Sequence, residues 1–590
     1  MSALKINRWI SGTLFGVLAI GLAAAQNTTP ANSAQSTGST SAPPAAQTAP
    51  APPASSAPVA PAHKAITLGE LVDSLTQQEK RMNNLMRNFK PIVETYIQEE
   101  QPDAALGTSP KADDYFLSRL DLTGKAASTM AFADEDRGKG EKKSAKNVEA
   151  FQADGFAQAL FPDLDHFDRQ NYDFEFVRWE NLGDLHCAAL NVAPHEKSEN
   201  RGFLGRIWVE DQNYNIVRFT GTYKSKAFSK RSFHFDSWRL NTISIVWTPA
   251  YVYTEESDPH DASRRGVWLK AQTRVWGYDL ANAGDHKEYA KRLTDNPSAV
   301  DPNRQEASQN LSADYTIGKT TYTPDDNVVE RLQVAGLMAP SGEVNRILET
   351  VVNNILVTND LDIPAVRCRV LLTTPLESFV MGRTIVLSRG LVDVLPDEAT
   401  LAAVLAHELA HIILQHSTGE KFMAGLTLPF PDLEIFAHLN FHFEPAEEDA
   451  ADKKGLELFS KSPYKDKIAA AGLFVEALEA RAPELPNLLH GRFSNDFGSS
   501  HLVGMKALAD PGTHLQMENV EQIAALPLGS RISLDPWSDR IEMVKGQSAR
   551  LQSAAEKRPF EVGPFYPHLK RLEEPAKAQA QPQQQPQAQQ

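Results

Sequence analysis

The run Leu401 to His416, LAAVLAHELAHIILQH, contains His407-Glu408-Leu409-Ala410-His411. This H-E-x-x-H pattern limits what the surrounding chain can be. In a helix, positions i and i+4 share one face, so His407 and His411 can offer two imidazole nitrogens to one metal ion. Glu408 projects beside them, where it can take a proton from a water activated by that metal. The apolar positions Leu401, Val404, Leu405, Ile412 and Leu414 predict a largely buried helix rather than a strand. Pro396-Asp397-Glu398 places acidic residues where a helix N-terminus favours them, and Ser417, Thr418 and Gly419 can end the helix. The five-residue pattern arises by chance in roughly a few per cent of chains this long. The plain alternative, two histidines on an ordinary core helix, must therefore be judged from the surroundings.

At 590 residues the chain is too long for one core, and its length suggests roughly three to four domains. The formal net charge of −16 argues against a general nucleic-acid binder, which needs a basic face. Residues 1–25 read as a secretory signal: Lys5 and Arg8 are basic, Ile10 to Leu22 is apolar, and Ala23-Ala24-Ala25 precedes Gln26. No cysteine lies near that cleavage site, and no later segment is long and apolar enough to span a bilayer. The expectation is a soluble protein exported to a bacterial periplasm or beyond. Cys187 and Cys368 fall in different predicted domains; an interdomain bridge is open in an oxidising compartment, and two buried free thiols are the expectation.

Residues 26–63 are rich in Ala, Pro, Ser and Thr and read as a disordered linker; residues 576–590 read as a disordered Gln-rich tail. Residues 64–150 form a helical and mixed region, in which 66–100 reads as helix from Leu68, Leu71, Val72, Leu75, Met82, Leu85 and Met86. Residues 151–319 change texture. Short aromatic and β-branched runs such as RIWVEDQNYNIVRFTGTYKS predict an antiparallel β domain, its core filled by Trp179, Trp208, Trp238, Trp247, Trp268 and Trp276. The phrase GRIWVEDQNYNIVRF resembles the strand-turn-strand units of periplasmic lipoprotein-carrier-like folds. Residues 320–510 carry the chemistry, with a helix from Glu343, strands at 366–374 and 383–391, the histidine helix, and a helix over 447–461. Residues 511–575 form a small, partly β appendage.

Two histidines do not complete a catalytic zinc site, which takes a third protein ligand and keeps one position for water. No third histidine stands at the extended-motif spacing, where Leu414 and Ser417 occur, so a downstream carboxylate is expected. Glu448 is the best candidate, on a helix whose Asp452 shares its face and can orient a histidine ligand. The alternative is a solvated acidic helix start.

These residues together resemble the M48 metallopeptidases, the group of the CAAX-prenyl proteases and HtpX with its soluble periplasmic members. Phe379 and Thr384 to Leu391 resemble the family's edge strand. Asp397-Glu398 through His411 resembles its helix start and motif, and His416 fits a common later position. Glu448-x-x-x-Asp452 followed by Gly455 resembles its third-ligand helix. Ala450 stands where the family usually has an acidic residue, and the interval from His411 to Glu448 is short.

The resemblance implies a gluzincin-type α+β zinc peptidase domain with endopeptidase activity; with the N-terminal antiparallel β-rich domain read before it, the whole chain is expected to be α+β. It implies one Zn2+ per chain on His407, His411 and Glu448, with Glu408 as general base. A peptide substrate would add to the strand near Thr384–Arg389. His501, in Ser499-Ser500-His501, resembles a downstream family histidine and is the candidate oxyanion donor, with His490 and His568 as rivals. The expected substrates are unfolded or outer-membrane proteins. A different class of function is also open: a periplasmic assembly factor that binds a lipid or client in the β domain and keeps a structural or latent zinc domain. A zinc hydrolase of a non-peptide bond has only shared metal chemistry behind it.

Overall fold

The computed structural model describes residues 66–89, 91–103, 107–122, 127–130, 159–195, 202–224, 232–243, 246–257, 265–278, 328–416 except 330, 331, 334 and 335, 440–496, 560–572 and parts of 502–544. The signal segment, the 26–63 linker and the 576–590 tail lie outside these residues. No helix among the described residues is long and apolar enough to cross a membrane.

Thr67 opens helix α1 (Leu68–Met86) with a reciprocal cap: its hydroxyl accepts from Glu70 N at 3.2 Å, and the Glu70 carboxylate accepts from Thr67 N at 2.9 Å. Leu71, Val72, Leu75, Met82 and Met86 form its buried stripe. The helix stops there instead of running to residue 100. Pro91 follows, and Ile92 opens strand β1 (Ile92–Asp103). The reason is tertiary. β1 pairs with a strand far down the chain, Ile92 opposite Trp276, so its apolar residues answer to a two-faced burial that local spacing does not reveal.

β1 belongs to a ten-stranded antiparallel sheet with β2 (Gly107–Asp121), β3 (Ala127–Met130), β4 (Tyr172–Leu182), β5 (Leu185–Pro194), β6 (Gly202–Glu210), β7 (Ile216–Lys224), β8 (Ser232–Ile243), β9 (Val246–Ser257) and β10 (Arg265–Trp276). The order is β3-β2-β1-β10-β9-β8-β7-β6-β5-β4. The sheet thus takes its first three strands from the 64–150 region and extends beyond the 151–319 stretch. Trp208, Trp238, Trp247 and Trp276 are buried as expected of core residues, whereas Trp179 and Trp268 are exposed.

Helix α1 covers one face of the sheet. Beneath it Arg239 of β8 meets Glu79 through two contacts of 2.7 Å. On the opposite face, residues 560–572 bring Phe565 and Leu569 against Trp208, Trp238, Trp247 and Tyr251. Cys187 and Cys368 are buried and unbridged.

The second lobe holds α2 (Glu343–Thr358), β11 (Arg367–Leu371), β12 (Ser378–Met381), β13 (Thr384–Ser388), α3 (Arg389–Val394), α4 (Glu398–Leu414), α5 (Pro445–Lys461), α6 (Ile468–Arg481) and α7 (Pro486–Leu489). Its core is continuous with the sheet through Ile92, Tyr96, Tyr115, Leu117 and Trp276. The architecture is α+β, a large antiparallel sheet joined to a mainly helical lobe.

Two strand expectations change. The run 383–391 is strand only to Ser388, whose hydroxyl then caps α3 by accepting from Leu391 N at 3.1 Å. The order of the small sheet is β11-β13-β12, so Thr384–Ser388 is its central strand and the edge beside the histidine helix is β12. Gly382, at φ 57, makes the tight reversal that folds β12 back along β13.

Candidate metal centre

Helix α4 begins at Asp397, whose carboxylate accepts from Thr400 N at 2.8 Å. From Ala402 to His411 every residue is buried, because α2, α5, α6 and β12 all pack against the helix. Helix spacing puts His407 and His411 on one face with their Nε2 atoms 3.2 Å apart. Helix α5 crosses close by. A side chain at Gly455 would bring its Cβ to 2.8 Å from the His407 Cα, so only glycine permits this approach.

The crossing delivers Glu448. Its Oε2 lies 3.3 Å from His407 Nε2 and its Oε1 3.9 Å from His411 Nε2. The donor atoms of His407, His411 and Glu448 all fall within 4.8 Å of one another. In a tetrahedral site with bonds near 2.0–2.1 Å, neighbouring donors stand about 3.3 Å apart. The three donors therefore fit a zinc-sized ion, and two imidazoles with one carboxylate are the donor set of a catalytic zinc that keeps a position for water.

Outer partners orient both histidines. His407 Nδ1 lies 3.1 Å from Asp452 Oδ1, and Gly504 N donates to Asp452 Oδ2 at 2.6 Å. His411 Nδ1 lies 3.0 Å from His416 Nδ1. Helix α4 ends with Gln415 at φ 58, a left-handed conformation that turns the chain and aims His416 back at His411. Phe443, just upstream of α5, stacks on the His411 ring at 3.9 Å between centroids. These contacts set the tautomer and ring orientation of both histidines.

Burial alone would push His407 down. The hydrogen bonds to Asp452 and Glu448, with the charges of Glu408 and Glu448, lift it instead to about 10. Positive charge is thus favoured where these carboxylates converge, which suits a cation site.

Glu408 is fully buried, and its Oε1 accepts from Ser378 Oγ of β12 at 2.6 Å. Behind β12, Glu377 accepts from Phe493 N at 2.8 Å and also from Arg492 N. Burial raises the Glu377 carboxyl to about 7, against the lowering effect of those bonds and of the Arg492 charge. Phe379 stacks on Phe441 at 4.6 Å with planes 1° apart.

The structure brings His407, Glu408, His411, Glu448, Asp452 and His416 together. His501 lies outside the described residues. His490 pairs with Asp496 at 2.7 Å, and His568 pairs with Asp184 in the β4–β5 turn at 2.9 Å. Sequence pattern does not single out Ser378, Glu377 or Phe443. A serine opening the otherwise apolar strand Phe379–Met381 was the available signal for Ser378.

Residues 340–441 match the family model described as Peptidase family M48. The matched span contains His407, Glu408 and His411 and ends before Glu448 and Asp452. No curated protein matches the chain. Among solved structures, it is similar to a DUF1329 family protein from Desulfovibrio piger: 12% identity, 36% of this chain, 96% of that chain, TM-score 0.19. It is also similar to a candidate outer membrane lipoprotein-sorting protein domain from Vibrio parahaemolyticus: 10% identity, 37% of this chain, 97% of that one, TM-score 0.19.

Proposed function

We propose that this chain, which carries a domain of peptidase family M48 at residues 340–441, is an exported zinc-dependent endopeptidase acting on unfolded or misassembled proteins of a bacterial envelope. The observation that carries the reading is the convergence of His407, His411 and Glu448 on one point with Glu408 alongside on the same helix. The signal-like segment 1–25 supports the exported location.

Zinc, when bound, supplies a Lewis acid that acidifies a water and polarises a peptide carbonyl. The chain's own residues do the rest. Asp452 and His416 hold the two imidazoles in the tautomers that present an unprotonated Nε2 to a metal. Glu408 takes a proton from the attacking water and passes it to the leaving amine as the C–N bond breaks. An extended substrate adds to the edge strand β12 by backbone hydrogen bonds, next to Glu408, a mode that reads strand shape more than sequence and suits unfolded chains. His501 is the proposed oxyanion donor.

The experiment is zinc analysis of the purified protein with cleavage of an unfolded protein such as reduced casein, beside Glu408→Gln. The expected outcome is one zinc per chain in both proteins and cleavage only in the first, with a loss of roughly a hundredfold or more. Equal cleavage by both would remove Glu408 from the reaction.

A second reading, that the sheet domain binds a lipid or client, draws on one observation. A shallow basin of about 710 Å³ on the face carrying the C-terminal segment is lined by Leu204, Arg206, Trp208, Thr220 and His234, apolar floor beside polar groups. Lipid recovered with a protein that never cleaves would favour it.

A further inference from the structure

We infer that Ser378 is a positioning residue, holding the general base Glu408 at a set distance from the strand on which substrate is laid. The inference rests on the peptidase reading above and concerns a residue outside the metal ligands.

Three observations carry it. Ser378 is fully buried, and its Oγ donates to Glu408 Oε1 at 2.6 Å, the length of a charge-assisted O–H···O⁻ bond. Ser378 is itself held firmly. It opens β12 opposite Leu387 of β13, and its neighbour Glu377 is tied on both sides, donating N–H to Ser388 Oγ at 3.1 Å and accepting from Ser388 N at 2.8 Å. Ser378 also heads the edge strand β12, so one residue joins the strand proposed to receive substrate to the base.

The chemistry follows from the two carboxylate oxygens. The Ser378 hydroxyl uses one lone pair of Oε1, and proton exchange is assigned to Oε2, where it leaves that bond undisturbed. A carboxyl group protonated on Oε2 keeps Oε1 as an acceptor, so the hydrogen bond survives while Glu408 gains the water's proton and loses it to the amine. Ser378 keeps its own proton throughout. A glutamate side chain has several rotatable bonds, and a fixed donor removes most of the freedom that would let it leave the attack position.

The test compares the full-length zinc-loaded protein with Ser378→Ala and Ser378→Thr, reading kcat, KM and zinc affinity by chelator competition. Ser378→Ala is expected to lower kcat by about ten- to a hundredfold, the range for losing a hydrogen bond to a charged group, with KM and zinc affinity within about twofold. Ser378→Thr, which keeps the hydroxyl, should recover most of kcat. A readout independent of turnover is urea unfolding of the metal-free protein in a double-mutant cycle of Ser378→Ala with Glu408→Ala. The shift caused by Ser378→Ala should shrink when Glu408 is absent. Unchanged kcat in Ser378→Ala, or additive unfolding shifts, would overturn the inference while leaving the peptidase reading intact. A wild-type protein that cleaves nothing would sink the peptidase reading, and the cycle would still decide whether Ser378 holds Glu408.

Discussion

Beneath α1, Arg239 and Glu79 meet through two 2.7 Å contacts, and at the junction of the lobes Arg389 meets Glu94 at 2.7 Å. In the helical lobe, Glu408, Glu448 and Asp452 instead gather around His407 and His411. Both regions bury charge completely, yet they do so for different ends. At Arg239–Glu79 and Arg389–Glu94 each buried charge meets its opposite, so these pairs serve register and attachment of the lobes. The helical lobe concentrates carboxylates around imidazoles whose outer nitrogens are already engaged, an arrangement that favours an added cation. Buried charge therefore does not mark a functional site by itself; what marks it is convergence of like donors on one point.

Glu448 carries the largest expected effect. If the cluster exists to hold a cation, Glu448→Ala should lower zinc affinity by roughly a thousandfold, as expected on removing one of three protein ligands. Competition with a chelator measures it, and affinity within tenfold of wild type would remove Glu448 as a ligand. The sheet should respond in stability, not in metal. Glu79→Leu leaves Arg239 buried without its partner and should cost roughly 3–5 kcal/mol in urea unfolding, while the double change with Arg239→Met should recover most of that loss. A similar cost for single and double variants would contradict the paired-charge account.

Glu377 sharpens the boundary between the two behaviours. Its folded value near 7 stands above the ordinary 4.5, so the folded protein binds more protons than the unfolded chain between those pH values. Its contribution is most favourable below about 4.5 and is lost as pH rises through about 7, up to roughly 3 kcal/mol. Glu377→Gln should flatten stability between pH 5 and 8, and an unchanged slope would refute the assignment. The smallest expected effect is at His416. His416→Ala should weaken zinc binding by roughly ten- to a hundredfold through His411, with little change in the unfolding of the metal-free protein. A loss of stability without a loss of affinity would make His416 a packing residue.

Much of the local structure is legible in the sequence. Helix α4 announced itself because its apolar positions, its Asp397 cap and its two histidines are all related by short helical steps. Helix α5 was legible for the same reason, from Glu448 and Asp452 to Gly455. The stretch from Ile92 misread as helix shows the opposite case. Its neighbours in β10 are distant in sequence, and a strand buried on both faces carries no alternation to read. The strand Thr384–Ser388 was recognised as a strand but misplaced at the edge, because its position depends on β12 folding back along it.

The sequence alone determined that one helix would present two imidazoles and a carboxylate on adjacent positions, since helical geometry acts over four residues and needs no partner. Tertiary structure decided everything that makes those groups a centre. It brought Glu448 against them through the close approach at Gly455, turned Asp452 and His416 onto their outer nitrogens, and set Ser378 against Glu408. Each of these contacts joins separate elements or follows a helix end, and its geometry depends on how the chain packs, not on spacing along it.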